Sequence, residues 1–375
     1  MSAPRAGRAG DIERRAALNG AKLAALITDR WGPGRRERGA IGATATLIEA
    51  RPGAGPGPDE TPVASGAGGR AGWVLADDAD RALGPALVWA DRHGVDDLHL
   101  LVDAAPDPVG SLARQAAQFR APAPSVWVIE GTSLVAAEPA AVPVRAEAPA
   151  PADLVDMLID AGLEIVVEGG MVRGEVNGLE VARIVRGHTT AGQPIDHPQL
   201  EVGVGKADRE LTAMVHSGLP TVEQLARVVE IVRRHRRPGA PHHPLNQLVP
   251  DRWLRAVLCR APGLAGLASL RPAEGARPRL NLAERDVAVA VGQAPGGQRV
   301  VVGCAVGMVL DLVPATADAR LAVDADAGAA QGDPPSRLLL AVPARDDHAT
   351  IRRLAARLRL PAEVVPIPGD WRAAA

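Results

Sequence analysis

The first and last thirds of this chain carry the same succession of short apolar segments and helical segments. No other feature of the sequence constrains the fold as strongly. Residues 73–75 align with residues 300–302 at an offset of 227, and residues 98–102 align with residues 338–342 at an offset of 240, after an insertion around Gly328–Pro335. Short apolar runs that alternate with helices are typical of strands that pair in parallel through right-handed crossovers. The pattern therefore predicts two similar ββαβαβ units, as an internal duplication would produce.

Residues 152–260 lack this pattern and predict a central α+β region. Asn177-Gly178 lies between two segments in which apolar and polar residues alternate. An Asn-Gly pair in that setting is the strongest short-range signal for a β-hairpin. We expect an antiparallel meander over residues 163–204, followed by helices. The predicted fold class is α/β, with two similar units that flank this central region.

Segments rich in Pro, Gly and Ala mark the domain boundaries. Residues 51–69 predict a flexible loop within the first unit. The predicted organisation is a disordered tail (1–11), the first α/β unit (12–135), a Pro/Ala linker (136–151), the central α+β region (152–260), a second linker (261–283) and the second α/β unit (284–372).

Composition and cysteine usage predict a cytoplasmic protein. Cys259 and Cys304 are the only cysteines and lie far apart, which suits a reducing compartment better than a disulfide framework. The first ten residues lack the apolar stretch of a signal peptide, and no apolar run is long enough to cross a bilayer. The net charge is −2, so the whole molecule is not electrostatically committed to nucleic acid. We expect no membrane partner.

A group of carboxylates with one lysine is the most concentrated polar chemistry in the chain. Alternation along the strands places Glu180 and Glu201 where they can converge near Lys206, at the start of the next helix. Carboxylates hold hard divalent cations, and a nearby lysine can orient water or stabilise developing negative charge. These three residues are the candidate catalytic group of a nuclease-like region, which would use Mg²⁺ or Mn²⁺.

This arrangement resembles the restriction-endonuclease-like superfamily, in which an acid lies on one strand and Glu-x-Lys on the next. Here Gly203 occupies the lysine position of that pattern, and Lys206 lies further along the chain. The alternative interpretation is a solvated polar sheet face that leads into a first helical turn. A phosphate-binding loop at Gly205-Lys206 would require Gly and Ser/Thr where Leu200 and Ala207 stand.

The segment 227–260 is strongly basic and contains only Glu230 and Asp251 as acids. Arginines clustered in this way can contact phosphates, and a Trp beside them can stack on a base. The alternative is a solvated helix face in an Arg-rich chain, with the Trp in the core, since all but two of the 42 basic residues are Arg. The candidate nucleic-acid-binding residues are Arg233, Arg234, Arg236, Arg237, Arg252 and Trp253.

Three phrases carry a family resemblance: Leu179-Glu180-Val181-Ala182-Arg183, Leu200-Glu201-Val202-Gly203-Val204-Gly205 and His243-Pro244-Leu245-Asn246. They resemble an uncharacterised protein family of high-GC actinobacteria, over most of residues 155–372. The resemblance implies no activity, ligand or catalytic residue.

The sequence leaves two hypotheses open, and it does not decide whether the chain is an enzyme. The first is a nucleic-acid-associated protein with a nuclease-like central region. The second is a non-enzymatic scaffold or regulatory protein that acts through contacts with another protein.

Overall fold

The structure is a computed structural model that divides the chain into two compact units. It describes residues 5–41, 44–50, 69–103, 105–120, 123–215, 220–275, 277, 279, 281–326 and 334–374. Unit 1 comprises Met1–Ala141 together with Arg352–Pro361, and unit 2 comprises Val142–Ile351 together with Ala362–Ala375. The boundary after Ala141 falls inside the segment 136–151, for which the sequence predicts a linker.

Unit 1 is built around a six-stranded sheet in the order β1-β2-β3-β4-β5-β6. Strands β3, β4 and β5 are parallel, and the other neighbours are antiparallel. The helices α2 and α3 are the crossovers between the parallel strands. The elements are α1 (Arg5–Trp31), β1 (Glu37–Ile41), β2 (Thr44–Ala50), β3 (Arg70–Ala76), α2 (Leu83–His93), β4 (Asp97–Val102), α3 (Pro106–Ala116), β5 (Ser125–Glu130) and β6 (Ser133–Ala136).

Helix α1 covers one face of this sheet. Leu23, Leu26 and Ile27 recur at helical spacing and are buried in the same apolar cluster as Trp73 of β3. The ring of Trp73 lies 5.6 Å from that of Trp31, the last residue of α1. Because the chain has one Phe and no Tyr, tryptophan supplies the large aromatic volume in this core.

Helix α1 begins earlier than the sequence pattern indicates. It starts at Arg5, inside the segment 1–11 for which a disordered tail is predicted, while residues 1–4 lie outside the described residues. Alanine and arginine both have high helix propensity, so a helix that begins at residue 12 can extend towards the N-terminus. The predicted loop 51–69 lies outside the described residues except for Gly69.

The segment Arg352–Pro361, which we call the arm, completes unit 1 from a distant part of the chain. Arg353 donates from Nη2 to Oδ2 of Asp91 over 2.7 Å. The backbone N–H of Arg359 donates to the carbonyl of Gln118 over 2.8 Å. Leu358 is fully buried. The arm is therefore part of the core and backbone hydrogen bonding of unit 1.

Unit 2 contains two sheets. Its elements are α4 (Ala152–Asp160), β7 (Glu164–Glu168), β8 (Met171–Val176), β9 (Leu179–Val185), β10 (Gln199–Val202), α5 (Gly205–Val215), α6 (Thr221–His235), α7 (Pro250–Arg260), β11 (Ser269–Ala273), β12 (Ala288–Gln293), β13 (Arg299–Cys304), α8 (Leu312–Asp326), β14 (Arg337–Pro343), α9 (Ala349–Arg357) and β15 (Ala362–Ile367). From Arg352 onward, α9 belongs to the arm.

The first sheet of unit 2 is the predicted antiparallel meander, in the order β10-β9-β8-β7. The turn between β8 and β9 is Asn177-Gly178, and both residues have positive φ, 48° and 75°. A Cβ on Gly178 would lie 2.3 Å from the carbonyl oxygen of Arg252 in α7. Glycine is therefore required here both for the turn and for the close approach of α7.

The second sheet of unit 2 has the order β11-β12-β13-β14-β15, antiparallel from β11 to β13 and parallel from β13 to β15. Strands β1 to β5 of unit 1 pair in the same order and with the same senses. Strand β11 lies in the segment 261–283, for which the sequence predicts a linker. It is an edge strand that contains Pro272, and edge strands tolerate proline. The structure confirms the predicted α/β class.

Helix α7 has an apolar face and a charged face. Trp253, Leu254 and Val257 are buried in the core of the β11–β15 sheet. Arg252 and Arg255 point to the meander, where they pair with Glu168 and Glu175. In unit 2, an apolar cluster and a set of ion pairs thus meet on one helix.

In the part of the chain that the structure describes, no helix combines the length and apolarity needed to cross a bilayer.

Candidate functional site

Glu180 and Glu201 both approach one arginine, Arg209, at a register shift in the pairing of β8 with β9. Nη1 of Arg209 lies 3.0 Å from Oε1 of Glu180, and Nε of Arg209 lies 3.9 Å from Oε2 of Glu201. Glu180 also accepts from Nη1 of Arg173 over 2.6 Å. Burial lowers the pKa of Arg209, and the charge of Glu180 opposes that effect. A guanidinium of the chain itself therefore stands between the two carboxylates.

Glu201 has further partners of its own. It accepts hydrogen bonds from the backbone N–H and the hydroxyl of Thr190, and from Nε of Arg183 over 3.2 Å. Burial acts to raise the pKa of Glu201, but the hydrogen bonds from Thr190 and the charge of Arg183 hold that pKa below its ordinary value. The carboxylate is thus held in its ionised form by protein groups.

Lys206 stays apart from these carboxylates. Its side chain is 72% exposed, and Nζ lies 3.8 Å from Oε1 of Glu210 one helical turn later. Lys206 and Arg209 are three residues apart on α5, so they lie on neighbouring positions of one helix face. Arg209, not Lys206, is the residue that reaches the carboxylates.

The start of α5 holds a carboxylate of the chain. The backbone N–H of Val204 donates to Oδ2 of Asp208 over 2.6 Å. Gly203 and Gly205 both have positive φ, 138° and 77°, so the strand turns sharply into the helix. Free N–H groups at a helix start attract anions. Asp208 satisfies one of them here and would repel a phosphate.

The candidate nucleic-acid-binding residues divide into an exposed group and a buried group. Arg233, Arg234 and Arg237 are exposed near the end of α6. Arg233 donates to the carbonyls of Ala161 (3.0 Å) and Gly162 (2.8 Å), beyond the end of α4. Exposed arginines at this place can both satisfy the last carbonyls of a helix and face solvent.

Arg236, Arg252 and Trp253 form the buried group. Arg236 is fully buried, and its guanidinium donates to the backbone carbonyls of Asn177, Leu245, Leu248 and Val249. Its Cζ lies 4.7 Å from the centre of the ring of Trp253, which is 2% exposed. In this conformation neither Arg236 nor Trp253 can reach a phosphate or stack on a base.

Sequence reasoning did not identify a buried ion-pair cluster on α7, which we call the Arg–Glu square: Glu168, Glu175, Arg252 and Arg255. Both arginines donate to both glutamates, and three of the four hydrogen bonds measure 2.9 Å. Burial acts to raise the pKa of Glu168, but Arg252 and Arg255 hold it below its ordinary value. Arg252 and Arg255 lie three residues apart on α7 and therefore share one helix face. This spacing was the sequence signal that both could pair with the same acids.

A surface groove between α4 and α6 was also missed. Its volume is about 600 Å³. Leu225 and Val229 form a buried floor with Met157, and Val222 is 57% exposed. The acidic rim is Asp153, Asp156 and Asp160 of α4 with Glu230 of α6. The acids of α4 recur at helical spacing, and this spacing was the sequence signal for one charged face.

Among the described residues, no group of three or more His, Cys, Asp or Glu side chains is arranged to hold a metal ion. His235 and His243 stack with ring centres 3.8 Å apart at the end of α6. Desolvation, and then the neighbouring His243 and Arg234, lower the pKa of His235. Within the described ranges, this pair has no third His, Cys, Asp or Glu placed to complete a metal site.

The chain matches no model of a known protein family, no curated protein and no solved structure.

Proposed function

We propose that this protein is a cytoplasmic, non-enzymatic scaffold that acts by binding another protein. The observation that carries the proposal is the groove between α4 and α6. It combines an apolar floor with an acidic rim, whereas the strongest charge clusters of unit 2 are neutralised internally. The accessible apolar side chains of the groove are Val222, Ala226 and part of Met157, above the buried Leu225 and Val229. Apolar surface rimmed by polar groups is typical of protein interaction sites.

The ion pairs around Glu180 and Glu201 argue against a metal-dependent hydrolase. A divalent cation would have to displace Arg209 from its place between the two carboxylates. The displaced guanidinium would then be left buried without its partner, which is costly. Lys206 would also have to leave its exposed position to approach a substrate.

A cleavage assay tests this proposal. The full chain is incubated with single- and double-stranded DNA and RNA in the presence of Mg²⁺ or Mn²⁺, beside the variants Glu180→Gln and Glu201→Gln. We expect no cleavage above background in any of the three proteins. Cleavage that requires the metal and disappears in both variants would establish the nuclease-like function and overturn the scaffold proposal.

Nucleic-acid association without catalysis is the second candidate. The observation in its favour is the exposure of Arg227, Arg233, Arg234 and Arg237 along α6. Exposed arginines of this kind contribute binding that weakens as salt rises. The buried members of the predicted set, Arg236, Arg252 and Trp253, have no part in this proposal.

Retention on a polyanionic resin tests the second candidate. The double variant Arg234→Glu/Arg237→Glu is compared with a control, Arg92→Glu/Arg186→Glu, which changes the net charge equally at exposed positions elsewhere. Loss of retention in the first variant alone supports nucleic-acid association through α6. If the two double variants are retained equally, nucleic-acid association through α6 is excluded.

We also infer that the β1–β5 and β11–β15 sheets derive from an internal duplication. Their common pairing order and the aligned apolar segments 98–102 and 338–342 support this inference. The aligned positions are mainly Leu, Val and Ala, which build cores and carry little polar chemistry. Under this proposal the two repeated sheets form the framework, and the binding site lies in the region that separates them in the sequence.

A further inference from the structure

We propose that the groove between α4 and α6 binds a basic amphipathic helix of a partner protein. This inference rests on the proposed scaffold function and specifies the chemistry of its partner. Two helices bound the groove, and a third helix laid between them would bury its apolar face on the floor. Helix α4 has nine residues, which corresponds to a length of about 13 Å, or two to three turns of the bound helix.

The floor of the groove has the character of a helix-binding surface. Leu225 is 1% exposed and Val229 is 3% exposed, so the base is held firmly by the meander core. Met157 adds a flexible thioether side chain that can adapt to different apolar partners. Val222 stands at the edge and is 57% exposed. A bound helix would cover Val222 with apolar residues at i, i+3 and i+4 spacing.

The rim of the groove selects the charge of the partner. Asp153, Asp156 and Asp160 are exposed, and within the described part of the chain none of the three forms an ion pair. Glu230 lies on the opposite side and pairs with Arg234 over 2.7 Å. Arg233 closes one end but is held by the carbonyls of Ala161 and Gly162. Uncompensated carboxylates on one long side favour a helix whose apolar face is flanked by Lys or Arg, and they disfavour an acidic one.

The groove is a surface for protein and not for nucleic acid. A phosphate backbone approaching α4 would meet three aspartates, and like charges that approach each other cost free energy. The exposed arginines of α6 that favour nucleic acid include Arg234 and Arg237, which do not line the groove. Binding of a partner helix and binding of nucleic acid are therefore tested with different variants.

The test uses the full chain and two fluorescein-labelled synthetic peptides. One is an amphipathic helix of Leu and Lys, and the other has Glu in place of each Lys. Fluorescence anisotropy is measured for the parent protein and for three variants. These are the rim reversal Asp156→Lys/Asp160→Lys, the floor variant Val222→Glu, and the control Asp196→Lys, which changes an exposed carboxylate outside the groove.

We expect saturable binding of the Lys peptide and much weaker binding of the Glu peptide. Reversing two exposed carboxylates replaces attraction by repulsion, so the rim reversal should weaken the Lys peptide about ten-fold and strengthen the Glu peptide. Val222→Glu should weaken the Lys peptide, and Asp196→Lys should leave it unchanged. All substituted positions are exposed, so circular dichroism should confirm that each variant is folded.

Three outcomes would overturn the inference: equal binding of the two peptides, no binding of the Lys peptide, or binding of the Lys peptide that neither groove variant weakens. These outcomes differ from failure of the proposed function, which metal-dependent cleavage would reveal. If the peptides fail and no cleavage occurs, the groove does not bind a basic helix, and the scaffold proposal retains only a partner of another kind on the same groove.

Discussion

Arg209 donates a hydrogen bond from Nη1 to Oε1 of Glu180 over 3.0 Å, and both side chains are shielded from solvent, 9% and 6% exposed. This hydrogen bond identifies the cation beside Glu180 as the guanidinium of Arg209. Because the guanidinium is the chain's own, the carboxylate of Glu180 has its cationic partner within the fold.

Arg209→Met should lower the free energy of unfolding by about 3 kcal/mol, because Glu180 would lose one of its two guanidinium partners in a buried position. Denaturant titration of parent and variant measures the difference. The control is Arg234→Met, whose pair with Glu230 is exposed on both sides, and we expect it to cost less than about 1 kcal/mol. Equal losses in the two variants would contradict a special role of Arg209. Restoration of Arg209→Met by Mg²⁺ would point to a metal site after all.

Gly178→Ala should destabilise the protein far more than Gly187→Ala. Both glycines have positive φ, 75° and 71°, so alanine costs about 1–2 kcal/mol at either position. A Cβ on Gly178 would also collide with the backbone of α7, whereas nothing lies within 4 Å of a Cβ on Gly187. We expect a loss above about 4 kcal/mol at Gly178, measured by denaturant titration. Similar losses at both positions would mean that α7 does not approach the turn as described.

The stability difference between Asp251→Asn and the parent should depend on pH. Burial raises the pKa of Asp251 from 3.8 to about 6, although Arg279 and Arg252 oppose the shift. The folded state therefore binds a proton more tightly than the unfolded state, and this group's contribution to stability falls as pH rises from about 4 to about 6. The Asp251→Asn variant has no carboxyl group at this position, so its stability does not fall with pH for this reason.

Relative to the parent, Asp251→Asn should thus gain stability between pH 4 and pH 7, by up to on the order of 3 kcal/mol. Denaturant titrations at several pH values measure the difference, and Asp196→Asn, at an exposed carboxylate, serves as the control. A difference that is flat across this range, or that falls with pH, would contradict the raised pKa.

Both cysteines should react slowly with thiol reagents in the folded protein. Burial raises the pKa of Cys259 to about 12, and it raises the pKa of the fully buried Cys304 as well. Because the thiolate is the reactive form, little of either thiol is available near pH 8. Labelling with an aromatic disulfide reagent should therefore be slow in buffer and complete in guanidinium chloride. Rapid labelling of the folded protein at either position would show that the site opens readily.

The sequence predicted most of the meander because local signals specify it. The limits of β8 and β9 follow from the turn at Asn177-Gly178, which only a narrow set of residues can form. Strands β1 and β11 were not predicted. Strand β1 lies at a sheet edge with no buried residue, and β11 is an edge strand with Pro272. Edge strands have only one strand neighbour, so they need not show the apolar alternation on which prediction depends.

Regular alternation does not explain why Glu180 and Glu201 meet. Glu201 pairs with Arg183, and Glu180 lies three residues away on β9, which alternation would place on the opposite face. The register shift in the β8–β9 pairing beside Glu175 returns Glu180 to the face of Arg183, and the spacing of residues in the sequence does not reveal such a bulge. The choice between Lys206 and Arg209 could not be made, because both lie on one helix face and the loop at Gly203–Gly205 sets the angle of the helix. The burial of Arg236 and Arg252 was equally out of reach, since their partners are remote in the sequence: the carbonyl of Asn177 for Arg236, and Glu168 for Arg252.

The arm has a consequence for how the protein is made. Domains generally fold in the order in which the ribosome releases them. Unit 1 includes Arg352–Pro361, so its fold remains incomplete while nearly all of unit 2 is synthesised. Until Leu358 and Arg359 emerge, Phe119 and the carbonyl of Gln118 lack the partners they have in the finished structure. The nascent chain must therefore carry an unfinished first unit through most of translation, and a truncation that removes only the last few dozen residues would damage the unit that begins at the N-terminus.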